Sequence, residues 1–114
     1  MKLVDGTLWL SPSDLSSFAA CEHLAQLELK VAYEEMQKPS RSNEFDELRR
    51  RKGEEHERAF LDALRVEGRE VVEIGLGDDY DFPAAAARTA EAMRAGPDVI
   101  YQAVLVDGGW RGVA

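Results

Sequence analysis

The segment Val99-Ile100-Tyr101-Gln102-Ala103-Val104-Leu105-Val106 is apolar at nearly every position. Successive side chains of a strand point to opposite sides of its sheet. A strand apolar on both sides is therefore expected inside a sheet covered by helices on both faces. Asp107-Gly108-Gly109 follows as a hairpin-turn signal, and Trp110-Arg111-Gly112-Val113-Ala114 reads as the start of the return strand. With long helical segments upstream, the expected class is mixed α/β, an α+β arrangement with long helices packed on a partial central sheet. Two strands alone are marginal, so the chain reads as the N-terminal piece of a longer protein.

Upstream, Thr7-Leu8-Trp9-Leu10 suits a short strand. Ser11 is a natural N-cap, Pro12 fits the first helical position, and Asp14 completes a capping box. The helix is expected to run from about Pro12 to Met36, with Phe18, Cys21, Leu24, Leu27 and Val31 as one buried stripe. Residues 39–43 read as a loop. A second helix is expected over Glu44 to Glu67, closed by Gly68, with Phe45, Leu48, Ala59, Phe60, Ala63 and Leu64 on its apolar side. Residues 70–74 suit a short strand, Gly75 to Pro83 an acidic loop, and Ala84 to Ala95 a third helix ending at Gly96-Pro97. The single domain thus divides into a helical segment (1–40), a histidine-bearing helix (41–69) and a partial sheet with one helix (70–114).

The 114 residues carry 14 basic and 22 acidic side chains, a net charge of −8. An acidic surface repels phosphate, which argues against a protein that simply coats nucleic acid but not against one that grips it in a local groove. The local exception is Arg49-Arg50-Arg51-Lys52. It reads first as a solvated helix face balanced by the acids on either side of it, and second as a phosphate contact. No apolar run is long enough to span a bilayer, and the first residues lack the apolar stretch of a secretory signal, so no membrane partner is expected. One cysteine, Cys21, excludes an internal disulfide and makes a reducing, cytoplasmic setting the expectation.

Few residues carry chemical signals. His56 shares a helix face with Phe60 and Ala63, so it is expected to point inward. There it is either a hydrogen-bonded structural residue or a metal ligand or acid–base group fixed by burial. Cys21 reads as a buried structural thiol. It is two residues from His23, so on one helix the two point about 200° apart and form no dyad. Gln102 is the one polar side chain in an apolar strand: it satisfies a buried hydrogen-bond need or lines a site on the sheet. Gly75-Leu76-Gly77 lacks the rest of a dinucleotide fingerprint, and Asp78, Asp79 and Asp81 lack the remainder of a calcium loop.

Taken together, three stretches resemble the RecB-like nucleases of the PD-(D/E)XK superfamily. Ser11 to His23 resembles the Ser-Leu-aromatic-Cys pattern that opens the domain. Arg51-Lys52-Gly53-Glu54-Glu55-His56-Glu57 resembles the first catalytic motif, a glycine followed shortly by a helical histidine. Val99 to Gly112 resembles the approach to the second motif. The resemblance spans nearly the whole chain. It implies a restriction-endonuclease-like fold and a site where a histidine, an aspartate and a Glu-x-Lys group gather Mg2+ or Mn2+, with His56 in the histidine role. The aspartate is expected just after Gly112-Val113-Ala114, and the Glu-x-Lys strand is not in this sequence, so the chain as it stands is expected to be inactive. The resemblance also implies a 4Fe-4S cluster in some relatives, for which Cys21 stands at the position of the first ligand in a full-length parent. Implied partners are DNA, single-stranded or at ends, and helicase or ribonuclease H-like modules. Two functions follow: the N-terminal part of a metal-dependent DNA nuclease for end processing or repair, or a non-catalytic helical adaptor that keeps the nuclease shape.

Overall fold

The computed structural model describes residues 1–40 and 43–114. The chain opens with β1 (Lys2–Val4) and β2 (Thr7–Trp9), an antiparallel pair with Leu3 opposite Leu8. Helices α1 (Pro12–Ala20), α2 (Glu22–Ala32) and α3 (Glu44–Val66) follow. Then come β3 (Val71–Glu73), α4 (Phe82–Ala95), β4 (Val99–Tyr101), β5 (Val104–Asp107) and β6 (Trp110–Val113). Strands β3 and β4 pair in parallel, joined through α4, which makes a short βαβ unit; β5 and β6 form an antiparallel hairpin. Gly108 and Gly109, both at positive φ, turn that hairpin. The amide of Leu10 donates to the Gly109 carbonyl at 2.9 Å and the Arg111 amide donates to the Leu10 carbonyl at 2.7 Å. These bonds string the N-terminal ladder onto the hairpin.

The core is small and sits where α4 meets β5. Phe82, Ala85 and Val104 are fully buried, and Val4, Trp9, Ile74, Leu76 and Val106 pack around them. The Trp9 and Phe82 ring centroids lie 5.3 Å apart at a tilted angle, and the Arg111 guanidinium lies over the Phe82 ring. Thr89 bonds this core together: its hydroxyl donates to the Ala85 carbonyl at 3.1 Å and accepts from the Val104 amide at 2.9 Å. At the N-terminal edge, the Asp14 carboxylate accepts from the Ser11 amide and hydroxyl, each at 2.7 Å, and from the Met1 ammonium. Burial pushes the Asp14 carboxyl up, but these donors outweigh it and leave it below the usual aspartate range.

Several sequence expectations are corrected. The expected helix from Pro12 to Met36 is two helices, because Cys21 is extended (φ −163°, ψ 107°) and serves as C-cap of α1 and N-cap of α2. The expected buried stripe is not kept whole: Phe18, Cys21 and Leu24 are exposed, while Leu27 and Val31 are half-buried. Strand β1 was not anticipated. The expected strand over 99–106 is interrupted at Gln102, whose φ of +52° separates β4 from β5. Only one face of the hairpin is covered. Val104 is fully buried beside α4, whereas Leu105 on the other face is 51% exposed. The third helix begins at Phe82, capped by the Asp81 side chain, which accepts from the Ala84 amide at 2.9 Å. The loop expected over 39–43 includes Arg41 and Ser42, which lie outside the described residues.

The open faces agree with the dimensions. The radius of gyration is 16.8 Å, against about 13 Å for a compact domain of this length. No helix among the described residues is long and apolar enough to cross a membrane.

Candidate functional site

A polar cleft lies where α3 crosses the carboxyl ends of the parallel strands β3 and β4. It has a volume of about 500 Å3 and is lined by Glu54, Glu55, Glu57 and Arg58 of α3, Glu73 of β3, Tyr101 of β4, and Gln102. The parallel register sets Glu73 beside Tyr101. Helix α3 docks onto them through one charged stripe. Arg58 and Arg65, seven residues apart and so on the same side of the helix, both reach Glu73, at 3.0 Å and 2.8 Å. Leu61, between them, is the buried residue of the helix. One helical turn before Leu61, Glu57 accepts a 2.5 Å hydrogen bond from the Tyr101 hydroxyl, and Gln102 Nε2 donates to the same hydroxyl at 3.2 Å.

The electrostatics follow from these contacts. The hydrogen bond from Arg65 holds the Glu73 carboxyl below the usual glutamate range; Arg58 adds to that effect, and partial desolvation opposes it without prevailing. Beside Glu57, the Tyr101 phenol is raised above its ordinary value, chiefly because its proton is held by that carboxylate. Each cleft carboxylate is engaged: Glu54 with Arg50 at 2.6 Å, Glu55 with Lys52 at 3.0 Å, Glu57 with Tyr101, and Glu73 with its two arginines.

His56 is not in the cleft. It is exposed, and it sits two residues from Arg58, about 160° around the helix from the docking stripe. The expected inward direction is therefore overturned. Phe45 (63% exposed), Leu48 and Phe60 (61%) share that outward side, so the residues expected on the apolar side of the helix face outward rather than into the core. Gln102, read either as satisfying a buried hydrogen-bond need or as lining a site on the sheet, is exposed and is one of the residues that line this cleft. Of the basic run, Arg50, Arg51 and Lys52 pair with α3's own acids, while Arg49 lies over the Phe45 ring. The sequence reading missed Glu57, Arg58, Glu73 and Tyr101. The signal available was the seven-residue spacing of Arg58 and Arg65 opposite a strand carrying one glutamate.

The residues of this chain do not by themselves fit the implied metals. Among the described residues no group of three or more His, Cys, Asp or Glu side chains is placed to hold an ion, and His56 and the cleft carboxylates lie on different sides of α3. A 4Fe-4S cluster takes four ligands, typically cysteines; Cys21 is the only cysteine, and it is exposed at the joint between α1 and α2, not buried as expected. No protein-family model, curated protein or solved structure matches this chain.

Proposed function

We propose that this chain is the histidine-bearing N-terminal part of a metal-dependent DNA nuclease with a restriction-endonuclease-like fold. The observation that supports this reading best is the position of the Gly53-to-Glu57 turn. It lies at the carboxyl ends of a parallel strand pair, where open α/β sheets generally place their ligand sites, and Glu57 is bonded there to Tyr101. His56, on the outer side of the same turn, is left open to groups that this chain does not supply. In this reading Glu57, Arg58, Arg65 and Tyr101 hold the turn in place, and His56 supplies one donor of a shared Mg2+ or Mn2+ site. The remaining donors, and any 4Fe-4S ligands beyond Cys21, come from a full-length parent. DNA is the substrate, and helicase or ribonuclease H-like modules are its companions.

A second reading, a non-catalytic adaptor of the same shape, is favoured by one observation: the apolar face of α3 with Phe45, Leu48, Phe60 and Val66 stands exposed. Incubating the product of the complete open reading frame with single-stranded DNA, with and without Mn2+, separates the two. Metal-dependent cleavage supports the nuclease. Stable folding with no cleavage at any metal concentration selects the adaptor.

A further inference from the structure

Helix α3 segregates its charges around its axis. A helix turns about 100° per residue, so Phe45, Leu48, Arg49, Lys52, His56 and Phe60 fall on one arc of about 120°. That arc lies opposite the side that docks through Arg58, Leu61 and Arg65. All seven acidic side chains of α3 lie outside it, with Glu55 at its margin. In a chain of net charge −8, the arc is therefore a local strip of cations and apolar side chains. It divides the basic run. Arg49 and Lys52 are on the arc, whereas Arg50 is not and pairs with Glu47 and Glu54. Lys52 is joined to Glu55 at 3.0 Å, an exposed pair of the weak kind that a phosphate can replace. The Arg49 guanidinium stands over the Phe45 ring, and Phe45 and Phe60 are both largely exposed.

The charges select among occupants. A second copy is a poor match: parallel pairing of two such arcs sets each cation against itself, and antiparallel pairing, with Leu48 against Phe60, sets Lys52 against His56 with no acid between. A bilayer surface is a poor match too, because the cations stand in the middle of the apolar strip rather than on an opposite polar face. Single-stranded nucleic acid supplies both complements at once, phosphates for the cations and open base faces for the exposed rings. Phe45 and Phe60 bracket the cations, about 22 Å apart along the helix, the length of about six nucleotides at the stacked spacing. We propose that this arc of α3 is a track for single-stranded DNA, with Phe45 and Phe60 stacking on bases and Arg49 and Lys52 meeting the phosphates between them. The inference deepens the nuclease reading, on which it rests: a phosphate cut at His56 must lie along this arc.

The test follows binding of a fluorescein-labelled oligothymidylate, about 20 nucleotides long and so longer than the strip, to this chain by anisotropy, with EDTA present so that no cleavage intervenes. Saturable binding is expected, roughly tenfold tighter than to the thymidylate–adenylate duplex of the same length, whose bases are closed to the rings, and roughly fivefold tighter than to an abasic strand with the same phosphates. Phe45→Leu and Phe60→Leu keep apolar bulk but cannot stack, and each weakens binding roughly threefold or more. Arg49→Gln flattens the slope of log affinity against log salt by about 0.7, whereas Arg50→Gln leaves it unchanged. All four positions are exposed, so their melting temperatures should match the parent's; the abasic comparison needs no variant and decides alone if one folds poorly. No saturable binding, equal binding of the abasic strand or the duplex, or unchanged affinity in the folded phenylalanine variants overturns the proposal. Tighter binding of a labelled polyglutamate chain overturns it too and assigns the arc to an acidic protein. If these effects are missing while the complete protein still cleaves DNA, this inference alone fails. If they are present and no metal supports cleavage, the nuclease reading alone fails.

Discussion

The Tyr101 hydroxyl donates to Glu57 across 44 positions of sequence, at 2.5 Å, and fastens the motif-bearing turn of α3 to the end of β4. Replacing Tyr101 with Phe removes that bond and keeps the ring. The melting temperature at neutral pH is expected to fall slightly, and hydrogen exchange in the middle of α3 to rise. The pH dependence is more telling. The phenol's folded-state pKa is raised, so its contribution is complete below the unfolded value of about 10 and is lost as pH climbs through the folded value. Stability of the parent chain should therefore decline above about pH 10 more steeply than that of Tyr101→Phe; parallel slopes would show that the bond does not form.

Glu73 gives the opposite slope. Its carboxyl is depressed by Arg65 and Arg58, so its contribution is present above the ordinary glutamate value of about 4.3 and is lost as pH falls through the lower folded value. Exposed ion pairs are individually weak, so Glu73→Gln should lower the melting temperature only modestly at pH 7. Below about pH 4 the difference between the two proteins should close. A gap that stays constant down to pH 2 would contradict the assignment.

Thr89→Val keeps the shape of a side chain that is 1% exposed but strands the Val104 amide, whose bond to the Thr89 hydroxyl is buried. Leaving one such group unpaired costs about 1–3 kcal/mol. Chemical denaturation should show a loss in that range for Thr89→Val and a smaller one for Thr89→Ser, which retains the hydroxyl. Equal stability of Thr89→Val and the parent would rule out the bond.

What the sequence made legible was local. The Ser11-to-Asp14 cap, the Gly108-Gly109 turn, the extent of α3 and the pairing of β5 with β6 all follow from short-range chemistry, and each is present. The direction of α3 was not legible. Its apolar stripe of Phe45, Leu48 and Phe60 pointed to burial, but the helix docks by Glu57, Arg58, Leu61 and Arg65, with two ion pairs to Glu73 and one hydrogen bond from Tyr101 on that side. The break at Cys21 was equally hidden. Nothing in Ala19-Ala20-Cys21-Glu22 signals an end to a helix, yet Cys21 is extended and α1 and α2 meet on either side of it. In the cleft, the apolar run over 99–106 singled out Gln102 but gave no hint of Glu73, which the parallel register sets beside Tyr101, or of Glu57, which α3 brings to the Tyr101 hydroxyl.

The nuclease proposal turns on His56, and one paired measurement tests it most directly. His56→Ala is compared with the parent in the complete protein, with melting temperature and Mn2+-dependent cleavage of single-stranded DNA read on the same samples. Because His56 is exposed, the melting temperature should not change. Cleavage should fall by about 10²- to 10⁴-fold, as for loss of one catalytic group. Full cleavage by a folded His56→Ala protein would contradict the proposal.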